Sequence, residues 1–200
     1  MLSRTSHLLF PPFFFVLLLI NFVFVACTPF PEKTASPQDL LALKDKAEEL
    51  YQYSIELFGK GDAASLEEME ASLELAISMV GEEARFLDAK GCLEWKLGNK
   101  LIAEKHFIQA LKLDPYFSEA WQHIAFVAVD RGEVSKGKKF LEQAIALKPD
   151  NYRAINNKAL ELAKSGKYRR AYDFLLQANL LSDGREDRIV NNLRLLAELR

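Results

Sequence analysis

The side chains best suited to chemistry in this sequence are few: Cys27, Cys92, His106, His123 and the carboxylates Glu67, Glu68 and Glu70. A thiol beside an imidazole can act as an activated nucleophile, and a close Cys/His set can hold zinc. Neither pattern is legible along the chain. His106 and His123 have no cysteine or serine placed beside them in a nucleophile motif, and no Cys/His group has metal-ligand spacing. Glu67, Glu68 and Glu70 fall at a helix start, where the macrodipole and solvent account for them without a metal. Cys92 reads as a small packing residue rather than a reactive thiol. The glycines serve turns and helix crossings, not a phosphate-binding loop. The expectation is a protein that is not an enzyme, with no catalytic residue, metal, cofactor or small-molecule substrate.

The elements around these residues must then carry the function. The chain of 200 residues is long enough for one domain or one repeat array with a real core. Its formal charge is −2, with Arg4 the only charge before residue 27, and short basic pairs such as Lys138-Lys139 and Arg169-Arg170 sit among acidic neighbours. That excludes an electrostatic footprint for nucleic acid. Two cysteines cannot build a disulfide framework, so stability must come from an apolar core.

The apolar residues are concentrated at the start. Residues 8–26 read LLFPPFFFVLLLINFVFVA and carry no charge, with Arg4 before them and Cys27 directly after. A cationic start, an apolar run and a small residue before a cut site make an export signal over 1–26. Pro11, Pro12 and Asn21 interrupt the run, and its unbroken part, 13–20, is too short for a hydrocarbon core of about 30 Å. The sequence Val23-Phe24-Val25-Ala26-Cys27 resembles a bacterial lipoprotein signal. That resemblance implies cleavage before Cys27, a lipid on its thiol, and anchorage to the inner or outer membrane facing the periplasm or exterior. Phe24 departs from the family, which prefers an aliphatic residue there. An uncleaved anchor helix over 8–26 and ordinary cleavage with release are the other two readings. Residues 27–37, with Pro29, Pro31 and Pro37, read as a short extended tether.

The remainder repeats. Gly98, Gly132 and Gly166 are thirty-four residues apart, as are Ala110, Ala144 and Ala178. Leu87, Trp121 and Ile155 keep the same period, and so do Gly91, Ala125 and Ala159. Phe107, Leu141 and Leu175, and Ala103, Gly137 and Ala171, complete six sets in register. Small residues let two helices of a hairpin approach, larger ones fill the space beside them, and the glycines sit where a helix must end and reverse. Pro115 and Pro149 open the turn into the next hairpin. This pattern resembles the tetratricopeptide repeat family. The resemblance implies an all-α fold, a right-handed superhelix of antiparallel helical hairpins, with units at 84–117, 118–151 and 152–184. A degenerate hairpin precedes them over 38–83, and a capping helix follows over 185–200, where Ile189, Val190, Leu193, Leu196 and Leu199 have helical spacing.

In the tetratricopeptide family the first helix of each hairpin lines a concave groove that takes a partner protein or peptide. Carried over unit by unit, the lining residues are Arg85, Asp88, Cys92, Trp95 and Lys96, then Glu119, Gln122, Phe126, Val129 and Asp130, then Arg153, Asn156, Leu160, Ala163 and Lys164. Trp95 and Phe126 read either as a binding hot spot or as packing between hairpins. The carboxylate clamp of chaperone-docking members is mostly absent: its places hold Asp88 and Cys92, then His123, then Arg153 and Asn157. The expectation is a non-enzymatic scaffold or adaptor tethered to the bacterial cell envelope. The alternatives are a structural subunit or pilotin-like assembly factor of a pilus or secretion machine, and a regulator of a cell-wall hydrolase.

Overall fold

The computed structural model describes residues 36–199. The expectations for the export signal, for Ala26 and Cys27 and for most of the tether fall outside the described residues. The chain divides into two units, 1–40 and 41–200. Of the first, only 36–40 are described. Ser36 and Asp39 exchange hydrogen bonds there: the Ser36 N–H donates to Asp39 Oδ2 at 2.9 Å and the Asp39 N–H to Ser36 Oγ at 3.1 Å. This reciprocal pair caps the start of the first helix.

The described residues form nine helices and no strand. In chain order they are α1 (Pro37–Lys60), α2 (Ala63–Val80), α3 (Ala84–Lys96), α4 (Lys100–Leu113), α5 (Ser118–Asp130), α6 (Val134–Leu147), α7 (Tyr152–Lys164), α8 (Tyr168–Leu181) and α9 (Asp187–Ala197). The helices pair as α3–α4, α5–α6 and α7–α8, with α9 laid on α8. Among the described residues no helix is long and apolar enough to cross a membrane.

Each hairpin turn is built the same way. Gly98, Gly132 and Gly166 have φ of +89°, +81° and +73°, a left-handed conformation that glycine takes without penalty. The following residue then reaches back along the helix: Asn99 N–H donates to Glu94 O at 2.8 Å, Glu133 to Ala128 at 2.9 Å and Lys167 to Leu162 at 2.9 Å. These are Schellman closures, which satisfy carbonyls that the helix end would leave unpaired. Gly184 repeats the closure with Asn179 at 2.9 Å and turns the chain into α9.

Within a hairpin the helices meet at the small residues of the repeat. Gly91 on α3 faces the buried ring of Phe107 on α4, whose edge lies where a β-carbon would stand. Gly137 on α6 lies as tightly against Ala125 and Val129 on α5. Between hairpins the turns are held by side chains. Trp121 Nε1–H donates to Pro115 O at 2.8 Å. Asn151 caps α7 by accepting from Ala154 N–H at 3.0 Å, and donates to Ser118 Oγ at 2.8 Å. Ser118 passes the bond to Ala144 O at 2.9 Å. Buried apolar residues extend from Leu57, Met69 and Leu73 to Ile189 and Leu196 on α9.

Candidate functional site: the face of the first helices

The first helices of successive hairpins also touch each other, α3 against α5 and α5 against α7. Their side chains fall into two registers, one turned into these junctions and one turned outward.

The inward register holds Asp88, Gln122 and Asn156, which are only 7%, 7% and 5% exposed. The sequence places these three among the groove-lining residues; the structure turns them into the seams between first helices instead. Asn156 Oδ1 accepts from Asn192 Nδ2 on α9 at 3.1 Å. Asp88 Oδ1 lies 2.8 Å from His123 Nδ1 across the α3–α5 seam. Burial pushes the His123 imidazole toward its neutral form. The Asp88 carboxylate and the Cys92 sulfur outweigh that, so its pKa stands well above the ordinary histidine value. Cys92, one helical turn from Asp88, brings its Sγ to 3.7 Å from both ring nitrogens of His123. His123 is further oriented by the Phe107 ring, 5.1 Å away centroid to centroid.

The outward register is centred on an aromatic pair. Trp95 on α3 and Phe126 on α5 meet edge to face with centroids 4.9 Å apart. The rings pack between adjacent first helices, and Phe126 remains 49% exposed. Lys100 Nζ lies 5.2 Å from the centre of the Trp95 ring and donates to Asp130 Oδ2 at 2.8 Å, so an exposed ion pair borders the aromatic patch. Val129 and Leu160 are half-buried on α5 and α7, and Lys164 is exposed.

Other expected lining residues are already engaged by the protein. Lys96 donates to Phe58 O at 2.7 Å. Arg85 pairs with Glu48 and, at 2.8 Å, with Glu83, and lies over the Tyr51 and Phe86 rings. Glu119 accepts from Lys148 at 2.8 Å and Arg153 approaches Glu186 at 3.4 Å. Of the remaining residues singled out from sequence, Glu68 accepts from the Tyr53 hydroxyl at 2.7 Å on an exposed face. His106 stands apart on α4, its pKa held down by burial.

The sequence reading missed one grouping. Asp88, Cys92 and His123 each offer a donor atom, and these atoms lie within 4.8 Å of one another. Asp88 and Cys92 share a helix face, but His123 is thirty-one residues beyond Cys92. The signal was available in the repeat register, because position 123 is 89 plus one thirty-four-residue period, next to position 88 on the facing helix.

Comparison with known proteins agrees with this architecture. Residues 84–117 and 118–151 match the tetratricopeptide repeat. Human protein O-mannosyl-transferase TMTC3 is 28% identical over 109 residues, which is 54% of this chain but only 12% of that protein. Among solved structures, Pseudomonas aeruginosa PilF superposes with a TM-score of 0.62 at 14% identity, covering 78% of this chain and 69% of PilF. A thermophilic protein of the same repeat class from Thermus thermophilus, TTC0263, gives 0.61 at 18% identity, covering 75% and 80%. The first such domain of Spaghetti (RPAP3), bound to an HSP90 peptide, gives 0.51 at 18% identity, covering 58% and 91%. These likenesses show the fold, and the repeat match shows its unit: the chain carries tetratricopeptide repeats, two of them at residues 84–151.

Proposed function

We propose that the chain is a non-enzymatic scaffold that binds an extended peptide or a helix of a partner protein across the face of α3, α5 and α7. The observation that carries this reading is the Trp95–Phe126 pair, packed edge to face yet with Phe126 49% exposed, beside the Lys100–Asp130 ion pair. Aromatic side chains ringed by polar groups supply most of the energy at protein interfaces. A rigid edge-to-face pair loses little entropy when a partner covers it. The Spaghetti domain shows the same fold holding a peptide, which supports peptide capture as a use of this architecture. The carboxylate clamp of chaperone-docking members is not the chemistry proposed here, since Asp88, Cys92 and His123 stand at three of its places and contact one another.

The finer reading is an adaptor tethered to the bacterial cell envelope by a lipid on Cys27, supported by the apolar run over 8–26 that ends at Ala26-Cys27. A second reading, a permanent subunit or assembly factor of an envelope machine, is favoured by a different observation. Leu101 and Ile108, two turns apart on α4, are 64% and 38% exposed, and Leu97 and Leu113 nearby are 49% and 50% exposed. Such a patch at α4 suits burial in a larger assembly.

Crosslinking in intact cells, followed by mass spectrometry, separates the two. The Trp95→Ala/Phe126→Ala variant should lose its main crosslinked partner, with roughly a hundredfold weaker capture if each ring contributes about 1.5 kcal/mol. Capture that survives this change and disappears in Leu101→Lys/Ile108→Lys would overturn groove binding in favour of the assembly reading.

A further inference from the structure

The group formed by Asp88, Cys92 and His123 is not used by a partner lying on the outward register, and packing alone does not account for it. Asp88 is buried on α3, its carboxylate against His123 Nδ1 at 2.8 Å across the seam with α5. The aspartate–histidine contact already engages Nδ1 and one carboxylate oxygen. The Cys92 thiol then has no need to approach, yet its sulfur lies 3.7 Å from Nδ1 and 3.7 Å from Nε2. Equal distances put the sulfur on the plane that bisects the two nitrogens, so it lies on neither lone-pair axis. That geometry is wrong for a thiol activated by its base, which requires the sulfur in line with one nitrogen and the aspartate on the other. A nucleophile is thereby disfavoured. What remains is a carboxylate, a thiol and an imidazole converging on one small volume.

We propose that Asp88, Cys92 and His123 bind one Zn²⁺ ion through carboxylate, thiolate and imidazole, clamping α3 to α5. The mixed oxygen, sulfur and nitrogen set is that of a borderline-soft ion, and zinc takes all three donor types. With metal–ligand bonds of about 2.0–2.3 Å, tetrahedral neighbours stand roughly 3.3–3.7 Å apart. The sulfur–nitrogen separations of 3.7 Å already meet this. The Asp88–His123 contact of 2.8 Å must open by about half an ångström, and the imidazole must turn one nitrogen toward the ion, as the metal takes the place of the proton between them. The thiol proton and that shared proton leave to solvent. Three protein ligands leave the fourth position to water. The supports are rigid: Asp88 and Cys92 are one turn apart on α3, and the Phe107 ring, seated against Gly91, packs on the His123 ring. The site sits one turn below the Trp95–Phe126 pair, so the ion would fix the floor of the partner-binding face without depending on any partner.

The test uses the full-length chain in mild detergent, reduced and stripped of metal by a chelator. Titration with Zn²⁺ alone, followed by calorimetry, should show one ion per chain. Titration with Co²⁺ should produce a thiolate-to-cobalt charge-transfer band in the near ultraviolet, together with intense visible bands of a tetrahedral site. Cys92→Ser should abolish the charge-transfer band and Cys27→Ser should leave it intact. Asp88→Asn and His123→Gln should each weaken Zn²⁺ at least tenfold. Zinc should raise the Tm of the natural chain and not that of Cys92→Ser. If Asp88→Asn or His123→Gln unfolds, the comparison of the two cysteine variants still decides. A natural chain without the charge-transfer band, or a Cys92→Ser chain that binds zinc as tightly, overturns the proposal.

Discussion

Replacing Gly91 by alanine tests how the hairpin α3–α4 closes. A methyl group built on Gly91 would lie 2.4, 2.6 and 2.9 Å from Cε1, Cδ1 and Cζ of Phe107. Carbon atoms pack best at about 3.5–4.0 Å, so the closest overlap is about an ångström. The Phe107 ring is 2% exposed and enclosed by Ala103, Ile124 and Val127, so it has nowhere to swing. Overpacking of this kind costs about 2–3 kcal/mol, and the better helix propensity of alanine returns about 1. The net loss is about 1–2 kcal/mol, or roughly 2–8 °C in Tm for a chain of this size. The neighbouring hairpins show the remedy. Where the first repeat has Gly91 with Phe107, the next has Ala125 with Leu141 and the third Ala159 with Leu175. All four of those alanines and leucines are buried. Phe107→Leu alone should leave a cavity and cost about 1–2 kcal/mol. The double variant Gly91→Ala/Phe107→Leu should return to within about 1 kcal/mol of the natural chain, a coupling of about 1–3 kcal/mol. Urea denaturation of the four proteins measures the cycle. Strict additivity of the two losses, or a Gly91→Ala chain as stable as the parent, would refute the reasoning.

Two further perturbations follow from buried polar groups. Asn151→Ala removes the α7 cap and the donor to Ser118 Oγ together, and should cost about 2–3 kcal/mol in denaturant unfolding. Asn151→Asp keeps the cap alone and should fall between that variant and the parent. The Tyr51 phenol is pushed up to about 12, first by burial and then by the Asp88 carboxylate. A raised folded pKa means its contribution is whole below the ordinary value of 10 and is lost as the pH rises through 12. The group is half-buried, so solvent screening reduces the effect to on the order of 1 kcal/mol. Tyr51→Phe should flatten the decline in stability between these limits, and an unchanged alkaline slope would count against the assignment.

Much of this protein was legible along the chain because the thirty-four-residue period is local. A hairpin needs a left-handed residue to reverse and a small residue where its helices cross, and both requirements recur at fixed positions such as Gly98, Gly132 and Gly166. Helical periodicity likewise marked a final helix with Ile189, Val190, Leu193, Leu196 and Leu199 as its apolar residues; Ile189 and Leu196 are buried against α7 and α8 with Leu193 beside them, while Val190 and Leu199 are exposed. The same periodicity could not say which face of a first helix meets solvent and which meets the next first helix. Both faces lie within the same stripe of positions, and the angle between successive hairpins divides them. Tertiary packing therefore decided that Asp88, Gln122 and Asn156 turn into the seams while Phe126 stays outside. It also decided the meeting of Cys92 with His123, because residues thirty-one apart in sequence become neighbours only when α3 lies against α5.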